Sequence, residues 1–78
     1  MCEGLRVQIC SDVDYDNLIA EIYYRGKYVA LISQENGPDK LVVEFPGPDM
    51  NEDVIIREVD FDWLLNALRE AKIKLIEG

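Results

Sequence analysis

The chain has 78 residues, 49% of them hydrophobic and 31% charged, which suits one small domain spanning residues 1–78 and excludes a disordered tail. Sixteen Asp and Glu against eight Lys and Arg give a net charge of −8; phosphates and anionic headgroups are bound through Lys and Arg, so neither nucleic acid nor a membrane is an expected partner. No apolar run reaches the roughly 20 residues of a membrane-spanning helix, and Met1-Cys2-Glu3-Gly4 lacks a basic region leading into an apolar stretch, so a cytoplasmic location is expected.

Leu5 to Cys10 alternates, with Leu5, Val7 and Ile9 on one side and Arg6, Gln8 and Cys10 on the other, the pattern of a half-buried strand. The polar stretch from Ser11 to Asn17 is a loop. Leu18 to Tyr24 and Lys27 to Ser33 flank Arg25-Gly26 and predict a hairpin. A two-residue turn pairs Tyr24 with Lys27, Tyr23 with Tyr28 and Ile22 with Val29. That register sends Leu18, Ala20, Ile22, Val29 and Leu31 to one face, and Ile19, Glu21, Tyr23, Tyr28, Ala30 and Ile32 to the other. Arginine is not the usual first residue of such a turn.

Asn36-Gly37-Pro38 marks the next turn. Lys40 to Phe45 follows as a strand with Leu41, Val43 and Phe45 on one face, and Pro46-Gly47-Pro48 ends it, because proline cannot continue the ladder. Asp49 to Asp53 is an acidic loop, and Val54 to Val59 is a short fifth strand. The last segment is a helix: Asp60 caps it, Asp62 suits its positive first turn, and Val59 with Leu64 fits a hydrophobic staple. Its apolar stripe is Leu64, Leu65, Leu68, Ala71 and Leu75, with Phe61 at the start and Trp63 on the flank. Arg69, Lys72 and Lys74 favour its negative end. The expected fold is α+β, an antiparallel four- to five-stranded β-meander with one C-terminal helix packed on one face.

Chemistry-bearing patterns are sparse. Cys2 and Cys10 are too few and too unevenly placed for a disulfide framework, and without histidine a zinc site would need cysteines and carboxylates alone; free thiols are expected. Asp12-Val13-Asp14-Tyr15-Asp16-Asn17 starts like a calcium loop. Its sixth position is Asn17 rather than glycine, however, and its twelfth is Tyr23 rather than a bidentate glutamate. Asp49, Glu52 and Asp53 form a second acidic cluster, again in a polar loop with no expected pocket for acid–base work. Ser11 and Ser33 lack a histidine, and the glycines form no phosphate loop. No enzyme, metal or cofactor is expected. The sheet face opposite the helix is the more informative surface, with Arg6, Gln8, Ile19, Glu21, Tyr23, Tyr28, Ile32, Val42 and Glu44. Such a mixture of aromatics, carboxylates and aliphatics suits protein binding. Cross-strand support by Tyr23 against Tyr28 is the alternative, worth roughly 0.2–1 kcal/mol.

Leu18-Ile19-Ala20-Glu21-Ile22-Tyr23, Val29-Ala30-Leu31-Ile32-Ser33-Gln34-Glu35, Leu41-Val42-Val43-Glu44-Phe45-Pro46 and the terminal helix together span most of the chain. In overall type it resembles the small acidic immunity proteins that bacteria encode beside polymorphic or contact-dependent toxins. The resemblance implies a cytosolic inhibitor that binds one cognate toxin domain, often a nuclease, and blocks its basic active site. The partner-binding residues expected on this reading are Asp12, Asp14, Tyr15, Asp16, Glu21, Tyr23, Tyr28, Glu44, Asp49, Glu52 and Asp53. A non-enzymatic interaction module, forming a homodimer through a sheet edge or the open face, is the alternative.

Overall fold

The computed structural model describes residues 3–77, so Cys2 and Gly78 lie outside the described residues. Four strands form one antiparallel sheet in the order β1-β2-β3-β4: β1 Leu5–Cys10, β2 Ile19–Tyr24, β3 Lys27–Ser33 and β4 Val42–Glu44. A single helix, α1 Phe61–Glu77, lies mainly across β1 and β2 and touches β3 less. The Cα envelope of 30 × 30 × 17 Å is that of two layers, a sheet and a helix. The α+β meander is thus the observed architecture.

The β2–β3 turn follows the two-residue prediction at its tip, where Tyr24 pairs with Lys27 and Tyr23 with Tyr28. Arg25 at φ 50° and Gly26 at φ 85° place both central residues in the left-handed region, as a type I′ turn requires. Beyond the tip the expected register fails. A bulge between Ile22 and Tyr23 puts Ile22 opposite Ala30 instead of Val29. The extra residue turns Ala30 and Ile32 inward with Ala20 and Ile22, and moves Leu31 to the outer face opposite Glu21 and Glu44. Val29 still joins the core. The physical reason is burial: the shift exchanges one Leu for one Ile plus a close-packing Ala beneath the helix, so the sheet twists locally and the helix settles on small residues.

The helix stripe is also rotated from its expected position. Trp63, Ala67, Ala71 and Leu75 are its buried residues, with Leu64 and Leu68 half-buried beside them, whereas Phe61 and Leu65 are 77% and 46% exposed. Trp63 is therefore core, not flank. Its indole N–H donates to the Glu3 carbonyl at 2.8 Å, and its ring meets Tyr24 edge-on with centroids 4.9 Å apart. Fully buried Ala67 and Ala71 allow close approach of helix and sheet. Asp60 caps the helix as expected: its carboxylate accepts the Trp63 amide at 3.1 Å, and Val59 and Leu64 line one hollow.

The predicted fifth strand contracts to one parallel bridge, Ile55 against Tyr28. Two backbone bonds make it, Tyr28 N–H to the Val54 carbonyl at 2.9 Å and Ile56 N–H to the Tyr28 carbonyl at 3.0 Å. Arg57 stops the ladder from extending. Its guanidinium donates to the Gly47 carbonyl at 2.8 Å and the Pro46 carbonyl at 3.3 Å and pairs with Glu52 at 2.8 Å, folding the segment back on its own start. Phe45, assigned to the inner face of β4, lies past the strand end and is 64% exposed. Leu18 likewise lies outside β2 and is exposed.

Candidate functional site

Side chains that point away from the helix alternate with the core residues on each strand. The pairings Arg6 with Tyr23, Gln8 with Glu21 and Cys10 with Ile19, Tyr23 with Tyr28 and Glu21 with Leu31, and Leu31 with Glu44 define this open face. Ile32, expected here, is on the other side because of the bulge.

Two carboxylates stand on this face, and each is held by a tyrosine. Tyr23 donates its hydroxyl to Glu21 at 3.1 Å, and Tyr15 donates to Glu44 at 2.9 Å. Both glutamates are half-buried, yet neither belongs to an ion pair among the described residues, where the pairs are Arg25 with Glu3 and Arg57 with Glu52. The nearby cation, Arg6, sits instead over the Tyr23 ring, 4.4 Å from its centroid. Tyr23 and Tyr28 meet edge to face at 5.8 Å.

The phenols and the thiol report the resulting field. Burial pushes Tyr28 up to about 12, with Glu21, the neighbouring tyrosines and Glu44 adding to it. Burial also raises Tyr23, assisted by its bond to Glu21; for Tyr15 the hydrogen bond to Glu44 is the leading cause. Cys10, a free thiol, is raised by burial and then by Glu21. All four shifts run in the direction that burial and unneutralised negative charge impose.

The flanking loops approach this face from two sides. Because Glu44 is on β4, the Tyr15 bond carries the β1–β2 loop across the sheet. That loop is anchored by Glu35, whose carboxylate accepts the amides of Asp16 at 2.8 Å and Asn17 at 3.0 Å, an arrangement that holds Glu35 below the usual carboxylate range. Asp12 accepts the Asp14 amide at 2.9 Å, closing a small Asx turn. On the other side, the returning arm brings Met50 and Val54 beside Glu21, Tyr23, Gly26 and Tyr28, enclosing an open hollow of about 440 Å³.

Tyr15, Glu21, Tyr23, Tyr28 and Glu44 are therefore gathered on one face. Asp12, Asp14 and Asp16 lie on the exposed loop at one end of the sheet. Asp49 and Asp53 lie on the exposed arm, and Glu52 is committed to Arg57. No group of three or more acidic or cysteine side chains converges into a metal site among the described residues. Met50 and Val54 are parts of the site that residue patterns did not single out: Met50 is the one apolar residue of the acidic loop from Asp49 to Asp53, a signal visible in the sequence, and Val54 was assigned to a strand. Alternation alone placed Arg6 on this face, and the β1–β2 register sets it opposite Tyr23. A larger apolar hollow of about 560 Å³, lined in part by Val29, Phe45, Ile56 and Leu64, lies against the helix and carries no such convergence of carboxylates and tyrosines.

No described helix is long and apolar enough to cross a membrane. Comparisons with protein-family models, curated proteins and solved structures found no match.

Proposed function

We propose that this chain is a cytoplasmic, non-enzymatic binder of a basic protein surface, an immunity protein that neutralises a cognate bacterial toxin domain, often a nuclease, by covering its cationic active site. The observation that carries this reading is the open face, where half-buried Glu21 and Glu44 are satisfied by tyrosine hydroxyls rather than by cations. A carboxylate held that way keeps its charge available to an incoming Lys or Arg, while the rings supply rigid contact area. The net charge of −8 adds long-range steering toward a basic cleft, and a nuclease must present such a cleft to phosphates.

The test is co-expression with the toxin reading frame encoded beside this chain, combined with association kinetics of the purified pair. The expected outcome is rescue of growth by the wild-type chain, with an association rate that falls steeply as salt rises. Growth arrest despite expression of the folded chain would falsify the reading. The second reading, a homodimer, is favoured by one observation: among the described residues the outer edge of the six-residue strand β1 faces no other strand, and such edges pair readily. Sizing over a range of concentrations separates the two, since a monomer throughout removes the dimer.

A further inference from the structure

The hollow between the hairpin and the arm has a composition that the remainder of the open face lacks. On the hairpin side it is lined by Glu21, Tyr23, Gly26 and Tyr28, and on the arm side by the apolar pair Met50 and Val54. We infer that this hollow seats one cationic side chain, arginine or lysine, supplied by the basic partner. The inference rests on the basic-partner reading and adds to it the chemistry of one contact.

Three features favour a cation here. Glu21 is half-buried and has no ion-pair partner among the described residues, so an incoming guanidinium or ammonium would compensate a charge the fold leaves uncompensated. The Tyr23 ring already accepts a guanidinium on its β1 side, from Arg6 at 4.4 Å, and the hollow opens on the opposite, β3 side, where Tyr28 pairs with Tyr23. Aromatic faces beside a carboxylate attract cations, and more strongly once water is displaced. The aliphatic wall suits the methylene stem that both long cationic side chains carry behind their charged heads. The arm is fixed rather than trailing, because Tyr28 bonds both Val54 and Ile56 through the backbone and Arg57 ties the start of the arm to its end. The wall is therefore in place before a partner arrives, which lowers the ordering cost of binding.

The experiment uses the full chain and three capped hexapeptides in which glycine alternates with arginine, lysine or citrulline. Binding is followed by amide chemical shifts at low salt. The expected result is that the arginine and lysine peptides shift the amides of Glu21, Gly26, Tyr28 and Val54, whereas neutral citrulline does not. Glu21→Gln keeps an acceptor for Tyr23 and should weaken binding about tenfold, the scale of one lost charge-assisted hydrogen bond. Val54→Lys, at a position 52% exposed and so harmless to folding, places a competing cation at the wall and should abolish the local shifts. A loop variant with Asp12, Asp14 and Asp16 all changed to Asn removes three charges away from the hollow and should weaken binding only to an extent that added salt erases. Equal losses in Glu21→Gln and the loop variant, or unchanged binding in Val54→Lys, would overturn the hollow as the seat. Either result leaves the broader immunity reading to its own growth-rescue test, which fails or succeeds independently.

Discussion

Tyr28 stands where burial and the charges of Glu21 and Glu44 act on the same phenol, and the sign of its coupling to folding follows. In the unfolded chain a tyrosine ionises near 10; in the fold Tyr28 holds its proton to about 12. Between these values the unfolded state binds fewer protons, so stability present below pH 10 is lost as the pH rises toward 12. A denaturant series across that range, read beside phenolate absorbance, should show the decline and a late-titrating tyrosine. Tyr28→Phe should remove the late step and flatten the decline. Glu35 runs the other way. Its lowered pKa stabilises the loop above the ordinary carboxylate range and is lost as acid protonates it, so the amides of Asp16 and Asn17 should lose exchange protection in acid. Glu35→Gln should loosen them already at neutral pH.

The hairpin, the arm and the helix are each governed by a local device. Arg25 occupies a left-handed position with φ 50°, a conformation that costs an ordinary residue roughly 1–2 kcal/mol and asparagine less. Its side chain makes an exposed pair with Glu3 at 3.9 Å and a distant approach to the Tyr24 ring at 5.3 Å, while its backbone N–H donates to the Gly4 carbonyl at 2.8 Å, a bond that the substitution keeps. Arg25→Asn should therefore stabilise the chain by about 0.5–1 kcal/mol, measured by chemical denaturation. Arg57 is the arm's staple, and its bonds to Glu52, Pro46 and Gly47 are exposed enough that Arg57→Ala should cost only about 1 kcal/mol globally. Its larger effect should be local: faster exchange of the Tyr28 and Ile56 amides, as the bridge between arm and β3 opens. In α1, Ala71 is fully buried against the sheet. Ala71→Leu should push helix and sheet apart and destabilise by about 1–3 kcal/mol, read as a lower denaturation midpoint.

At the scale of the whole molecule, one layer of helix covers one face of the sheet and leaves the other to two loops and to the polar and aromatic side chains of the strands. The net charge of −8 acts on both halves of that design. It attracts basic surfaces over a distance, and it strains the compact state through self-repulsion. Raising salt from about 0.01 M to about 0.15 M shortens the screening length from roughly 30 Å to 8 Å. The melting temperature should rise over that interval, while association with a basic partner slows. Opposite responses of stability and capture to the same variable separate diffuse charge from specific packing.

The amino-acid order alone determined the four strands and the C-terminal helix, the Asp60 cap and the tip of the hairpin, because each rests on local geometry: period 2, period 3.6, a carboxylate before the first amide, a two-residue turn. Alternation also placed Arg6, Gln8, Glu21, Tyr23, Tyr28 and Glu44 on the open face. Three things waited for tertiary structure. The bulge beside Ile22 was decided by how Ala30 and Ile32 fit beneath the helix, and the rotation of α1 by Trp63 finding the Glu3 carbonyl and the Tyr24 ring. The hollow was decided by Arg57 turning the arm back on itself to set Met50 and Val54 beside Glu21. Each depends on groups distant in the chain competing for one space, and local periodicity carries no record of that competition.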